Sequence, residues 1–102
     1  MDSLQVRVRR FHRRFGVSRT PEVYLLDLMA EVGELAKEYL KATAYGEKAA
    51  AALPEAFAAE LGDALYTLLS LVEAAGLDAE ALLEAALTKY EARILAKGDM
   101  GS

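Results

Sequence analysis

Residues 20–42 read TPEVYLLDLMAEVGELAKEYLKA. Thr20 and Pro21 form a helix start, because threonine is a favoured cap and proline at the first helical position gives up an N–H that has no partner there anyway. Leu25, Leu28, Val32, Leu35 and Tyr39 then recur at helical spacing and draw an apolar stripe down to about residue 42. The same pattern repeats on either side. Leu4, Val8, Phe11 and Phe15 predict a short helix over 3–15, ringed with arginines and stopped by Gly16. Tyr45-Gly46 breaks the helix begun at Pro21, Glu47 to Ala52 is expected to make a helical turn, and Pro54 opens a helix over about 54–75. Its stripe is Phe57, Leu61, Ala64, Leu65, Leu68 and Val72, and Gly76 ends it. Asp78 caps a last helix over 79–96, with Leu83, Leu87, Tyr90 and Ile94 on one face.

These elements define an all-α chain, expected to form an antiparallel (up-and-down) bundle of about four helices. Residues 1–97 form a single domain in this reading, with 1–20 as a basic N-terminal helix or arm and 98–102 as a disordered tail. At 102 residues, 54% of them hydrophobic, the chain supports one modest core, so oligomerisation is expected to complete the bundle. There is no cysteine, which excludes disulfides, thiolate ligands and thiol catalysis. The N-terminus alternates arginine with apolar residues, so it reads as neither a secretory signal nor a membrane span, and a cytoplasmic protein is expected.

The net charge of −4 hides an asymmetry. Residues 1–20 hold six arginines against Asp2, about +5, whereas the remainder is about −9. The basic helix is expected to dock on those acids; use as a nucleic-acid or membrane anchor is the weaker reading. Between Lys48 and Lys89 there is no lysine or arginine, although seven acids fall there.

Two stretches concentrate the acids: AEVGELAKE at 30–38 and AELGDALYT at 59–67. Each places a glycine between two carboxylates inside a helix, at a cost of roughly 1 kcal/mol relative to alanine. Asp27, Glu31, Glu34 and Glu38 line one strip, with like charges at neighbouring helical positions, and Glu60 and Asp63 repeat the i, i+3 relation on the next helix. A single such pair is ordinarily solvated surface. Two pairs brought together collect four carboxylates, Glu31, Glu34, Glu60 and Asp63, at one point, and the glycines are expected to let a neighbouring helix or ligand come close. Such a cluster needs a cation. Oxygen-only donors select Mg²⁺, with Mn²⁺ possible, over zinc or copper. A di-iron bundle would need Glu-x-x-His on two helices, and the single histidine, His12, lies in neither motif.

Glu31-Val-Gly-Glu34-Leu, a spacer, and Glu60-Leu-Gly-Asp63, followed by an apolar run to Gly76-Leu77-Asp78, resemble the MazG-type nucleotide pyrophosphohydrolases of the all-α NTP pyrophosphatase superfamily, whose signature is E-E-x-x-E followed by E-x-x-D. Phe11-His12-x-x-Phe15-Gly16 is similar to their N-terminal helix. Ala30 departs from the first glutamate of that signature. The resemblance implies Mg²⁺-dependent cleavage of a nucleoside triphosphate between the α and β phosphates, to monophosphate and pyrophosphate, by a homodimer or homotetramer acting on free nucleotide rather than on nucleic acid or a membrane. It implies Glu31, Glu34, Glu60 and Asp63 as metal ligands, one of them or Glu38 as proton acceptor, and Lys89 and Arg93 as phosphate contacts, their K-Y-E-A-R resembling a K-F-x-x-R ending. Leu87 stands where some members have asparagine. Lys41 could reach phosphate, although pairing with Glu38 is the simpler use. His12 would contact a base, its ordinary alternative being a surface position. The alternative for the whole chain is a non-catalytic helical dimerisation or binding module with acidic faces.

Overall fold

The computed structural model describes residues 1–49 and 53–101, and among them it is helical throughout, with no strand: α1 (Leu4–Phe15), α2 (Pro21–Ala42), α3 (Glu55–Ala74) and α4 (Ala79–Lys97). The boundaries follow the local signals closely. Gly16 ends α1 in the left-handed conformation (φ 62°), which only glycine adopts without cost. The Asp78 carboxylate accepts a hydrogen bond from Ala81 N and caps α4. Thr20 occupies the cap position of α2 without a capping hydrogen bond from its side chain, so Pro21 alone supplies the start that the sequence credits to both. The helical turn expected over 47–52 falls partly on residues 50–52, outside the described residues.

The helices are rotated from the orientation that their leucine stripes suggest. α2 and α3 pack antiparallel; the positions of reduced exposure on α2 include Tyr24, Leu28, Glu31, Leu35, Glu38 and Ala42, and on α3 Phe57, Glu60, Leu71 and Ala74 flank the buried Ala64, Thr67, Leu69 and Ser70. Tyr39 and Phe57 pair at 6.1 Å where the hairpin closes. Leu25, Val32 and Tyr39 of the expected α2 stripe, and Leu61, Leu65 and Leu68 of the expected α3 stripe, are exposed instead. The buried line runs through small residues, Ala64 and Thr67, and this places two glutamates in the seam with their carboxylates near its edge.

α1 shows the same inversion more sharply. Gln5 and His12 are its buried residues, whereas Leu4, Phe11 and Phe15 remain about half exposed. Polar contacts explain why. Gln5 Nε2 donates to Glu73 Oε1 and to the Leu77 carbonyl, each at 2.8 Å, and Gln5 Oε1 accepts from Ala79 N at 2.6 Å. Arg9 completes the clasp with a two-pronged bond to Glu73, at 2.6 and 3.0 Å. Glu73 lies in the last turn of α3, where the helix dipole disfavours a carboxylate, and Arg9 supplies the compensating charge. The attraction expected between the basic helix and the acidic remainder is realised at this point, while Arg10 pairs with Asp2 of its own segment.

Hydrogen bonds from Arg9 and Gln5 hold the Glu73 carboxyl down to about 2, from an ordinary 4.5. A carboxylate with a depressed folded-state value contributes stability that is fully present above its unfolded value and is lost as pH falls through the folded one. About 1–2 kcal/mol, discounted because the side chain keeps 24% of its exposure, is therefore expected to vanish between roughly pH 4.5 and pH 2. Urea midpoints measured across that window are expected to fall steeply for the wild type and more shallowly for Glu73→Gln.

α4 leaves the other three helices. None of its residues is buried, and Leu83, Leu87 and Ile94 of its stripe face outward. It packs on no other helix as α2 and α1 pack on α3.

Candidate metal centre

The antiparallel α2–α3 hairpin brings the two acid pairs to the same level. One carboxylate oxygen each from Glu31, Glu60 and Asp63 lies within 4.8 Å of the others. Glu31 and Glu60 are half-buried in the seam, and Asp63 stands at its open side. Glu34, one turn along α2, is exposed and lies outside the converging set. Three of the four carboxylates anticipated as ligands thus meet. Glu38 is partly buried at the same seam and pairs with Lys41 at 3.4 Å, the i, i+3 partnership anticipated for that lysine.

Glu60 registers the whole cluster. Its carboxyl is pushed above the ordinary value, first by partial burial and then by the negative charges of Asp63, Glu31, Glu34 and Glu38. No cation of the chain pairs with Glu31, Glu60 or Asp63 among the described residues. Like charges held this close are self-repelling, and an all-oxygen set with one side open to water suits a hard divalent cation that retains some of its waters. The donor set fits such an ion and could hold one.

The glycines of the two motifs do not serve helix approach, one of the two uses expected of them. A Cβ built at Gly33 or at Gly62 would meet nothing within 4 Å among the described residues. Close packing of α2 against α3 at these positions is therefore ruled out as the compensation for their cost: the helices meet along the Ala64–Thr67 line, and both glycines face away from it. Gly62 borders an open apolar groove with Leu4, Val8, Phe11 and Tyr66. With nothing to clash against, Gly33→Ala and Gly62→Ala are each expected to raise the apoprotein's stability by about 0.5–1 kcal/mol, read as a higher melting temperature.

The anticipated substrate contacts are scattered within one chain. Lys89 and Arg93 flank the Tyr90 ring on α4, at 4.9 and 5.8 Å from its centre, and Arg93 also reaches the Met100 carbonyl. Neither pairs with a carboxylate among the described residues. His12 occupies no surface position. It is buried, stacked on Tyr24 with ring centres 5.8 Å apart, and its Nε2 lies 2.9 Å from the Tyr66 hydroxyl and 3.3 Å from the Ser70 hydroxyl. Tyr24 in turn accepts from Arg19 N. This cluster fixes the face of α3 one turn beyond Asp63, since Tyr66 follows that residue by three positions.

Gln5, Tyr24, Ser70 and Glu73 did not stand out in the sequence, yet they fasten α1 to the hairpin. Two signals were available. Gln5, Arg9 and His12 share one line of α1 at spacings of four and three, and Glu73 is a lone acid at a helix end that disfavours it.

The model of one protein family, described as the MazG nucleotide pyrophosphohydrolase domain, matches residues 19–94. No curated protein and no solved structure matches the chain. The matched span contains α2, α3, both acid pairs and most of α4, about three quarters of the sequence. An all-helical chain that carries this domain over most of its length, with the paired acids converging inside it, belongs to the MazG nucleotide pyrophosphohydrolase family.

Proposed function

We propose that the protein is a Mg²⁺-dependent nucleoside triphosphate pyrophosphohydrolase that splits a (d)NTP between its α and β phosphates, yielding (d)NMP and pyrophosphate. The observation that carries this reading is the convergence of Glu31, Glu60 and Asp63 oxygens within 4.8 Å, in a chain of this family. These three residues would hold the ion, Glu34 would complete the set only by turning in from the next turn of α2, and Mn²⁺ would substitute. When bound, the ion offsets phosphate charge and makes a water easier to deprotonate.

The remaining work falls to the chain's own groups. Glu38 or a carboxylate of the cluster accepts the proton of the attacking water. Lys41, Lys89 and Arg93 supply positive charge for the phosphates. His12 acts on the substrate through the Tyr66 hydroxyl that it holds. A homodimer or homotetramer is the working unit, a reading supported by the separation of α4 and its cations from their own hairpin. The substrate is free nucleotide in the cytoplasm. Among the described residues no helix is long and apolar enough to cross a membrane.

The test is to incubate the purified protein with NTPs and dNTPs in Mg²⁺ and resolve the products. Monophosphate and pyrophosphate in equal amounts are expected, and a chelator should abolish both. Diphosphate and inorganic phosphate would overturn the assignment of the bond. No product above the chelated control would leave only the non-catalytic helical module.

A further inference from the structure

We propose that the outer face of α1 binds single-stranded nucleic acid, with its arginines on the phosphates and its exposed phenylalanine rings against the bases. The strand is a docking partner and not the substrate, so the inference goes beyond the hydrolysis of free nucleotide and does not depend on it. Composition is the first observation. All six bases of residues 1–20 are arginines, whereas five of the six in the remainder are lysines. Solubility does not require that choice, but a planar guanidinium fork matches the paired oxygens of a carboxylate or a phosphate. The fold uses the match once across the molecule, where Arg9 reaches Glu73 of the hairpin. Arg10 pairs with Asp2 of its own segment, and Arg7, Arg13 and Arg14 pair with no carboxylate among the described residues. These last four arginines are all exposed.

Their placement fits a strand. Arg7, Arg10 and Arg14 follow one edge of α1 at spacings of three and four, with Arg13 beside them, on the side away from the buried Gln5 and His12. From Arg7 to Arg14 the helix rises about 10 Å, over which one nucleic-acid strand advances by about three phosphates. Aromatic rings border the row. Phe11 and Phe15 are 47% and 54% exposed, with ring centres 5.0 Å apart, and the Arg14 guanidinium lies over the Phe15 ring at 4.9 Å. Phe11 meets Tyr66 edge-on at 6.0 Å, which steadies it on α3. A cationic row flanked by exposed rings suits unpaired bases, because each offers a face for stacking that a duplex hides. An anionic membrane fits less well. Leu4 and Phe11 form one wall of a groove against Leu65 and Tyr66, so the apolar side of α1 is recessed and does not lie flat in a lipid surface.

Fluorescence anisotropy of a labelled oligothymidine of about 12 nucleotides, titrated with the full chain in the presence of chelator, reads the binding while the acid cluster carries no ion. With four arginines engaged, affinity is expected to fall about 50-fold between roughly 50 and 200 mM salt, a log–log slope of about −3. Arg7→Gln/Arg10→Gln/Arg14→Gln leaves Arg9 and its clasp in place, and its slope is expected to drop to about −1, with binding at least about tenfold weaker at the lower salt. Phe15→Leu is expected to bind about tenfold more weakly with the slope unchanged, and a duplex of the same length to bind several-fold more weakly than the single strand. No anisotropy change with the wild type would overturn the proposal, as would a duplex bound as tightly as the single strand. Binding to vesicles of phosphatidylcholine and phosphatidylserine without binding to the oligonucleotide would overturn it in favour of a lipid surface. The salt slope and the duplex comparison are read on the wild type, so they decide the matter even where a variant melts early. Pyrophosphate release is assayed separately on free nucleotide, so failure of one reading leaves the other standing.

Discussion

Glu60→Gln is expected to reduce pyrophosphate release by about 10²–10³-fold, the order of effect of removing one preorganised electrostatic group from an active site, and at the same time to raise the melting temperature of the metal-free protein. The opposite signs come from one cause. Partial burial and four neighbouring carboxylates push the Glu60 carboxyl up, so its ionised form is disfavoured in the folded chain. A carboxyl with a raised folded-state value costs stability at neutral pH, and that cost disappears as pH falls through the raised value; glutamine removes it at every pH. The variant's advantage should therefore be present at pH 7 and shrink toward pH 4. Divalent cation should reverse the order. An ion at 100 times its dissociation constant stabilises the wild type by about 2.7 kcal/mol, a shift of many degrees for a domain of this size, and the variant should show little of it. Melting curves of both proteins with chelator and with Mg²⁺, read beside product release, check all of this. A metal-free Glu60→Gln protein that melts below the wild type would show that the cluster is held together by something other than an awaited cation.

The helices and the acid pairs were legible because their signals are local. Caps, glycines and a proline start act within a turn, so α1 to α4 begin and end within a residue or two of where the sequence places them. Paired acids at i, i+3 share a helix edge whatever the helix packs against, which is why Glu31, Glu60 and Asp63 could be singled out before any packing was known. Helix rotation is a different kind of property. Leu61, Leu65 and Leu68 are as apolar as a core demands, yet α3 turns Ala64, Thr67 and Ser70 inward, because Tyr24, His12 and the α2 seam offer those positions specific partners. Periodicity reports that a face is apolar; it does not report which molecule covers it. The helix-approach reading of Gly33 and Gly62 went astray for the same reason, since close approach depends on where the neighbouring helix lies.

His12→Ala is expected to be the most destabilising single truncation on α1, at about 2–4 kcal/mol, which lowers the melting temperature by roughly 10–25 °C. The imidazole is 4% exposed, lies parallel to the Tyr24 ring, and meets two hydroxyls through one nitrogen. Removing it opens a cavity beneath α1 and strands the Ser70 hydroxyl, which has no exposure to water at all. Both losses add, because a buried polar group without a partner forfeits its hydration as well as its bond. Ser70→Ala alone removes the stranded group together with its need, so the double variant His12→Ala/Ser70→Ala should recover part of the loss. If His12 acts on substrate only by holding Tyr66, then Tyr66→Phe, which deletes the hydroxyl and keeps the ring, should reproduce the kinetic effect of His12→Ala at a fraction of its thermal cost. The comparison belongs at a temperature where every variant is folded. A rise in KM seen in His12→Ala and absent from Tyr66→Phe would instead put the imidazole itself against the nucleotide, and α1 would then have to tilt away from α3 for the two to meet.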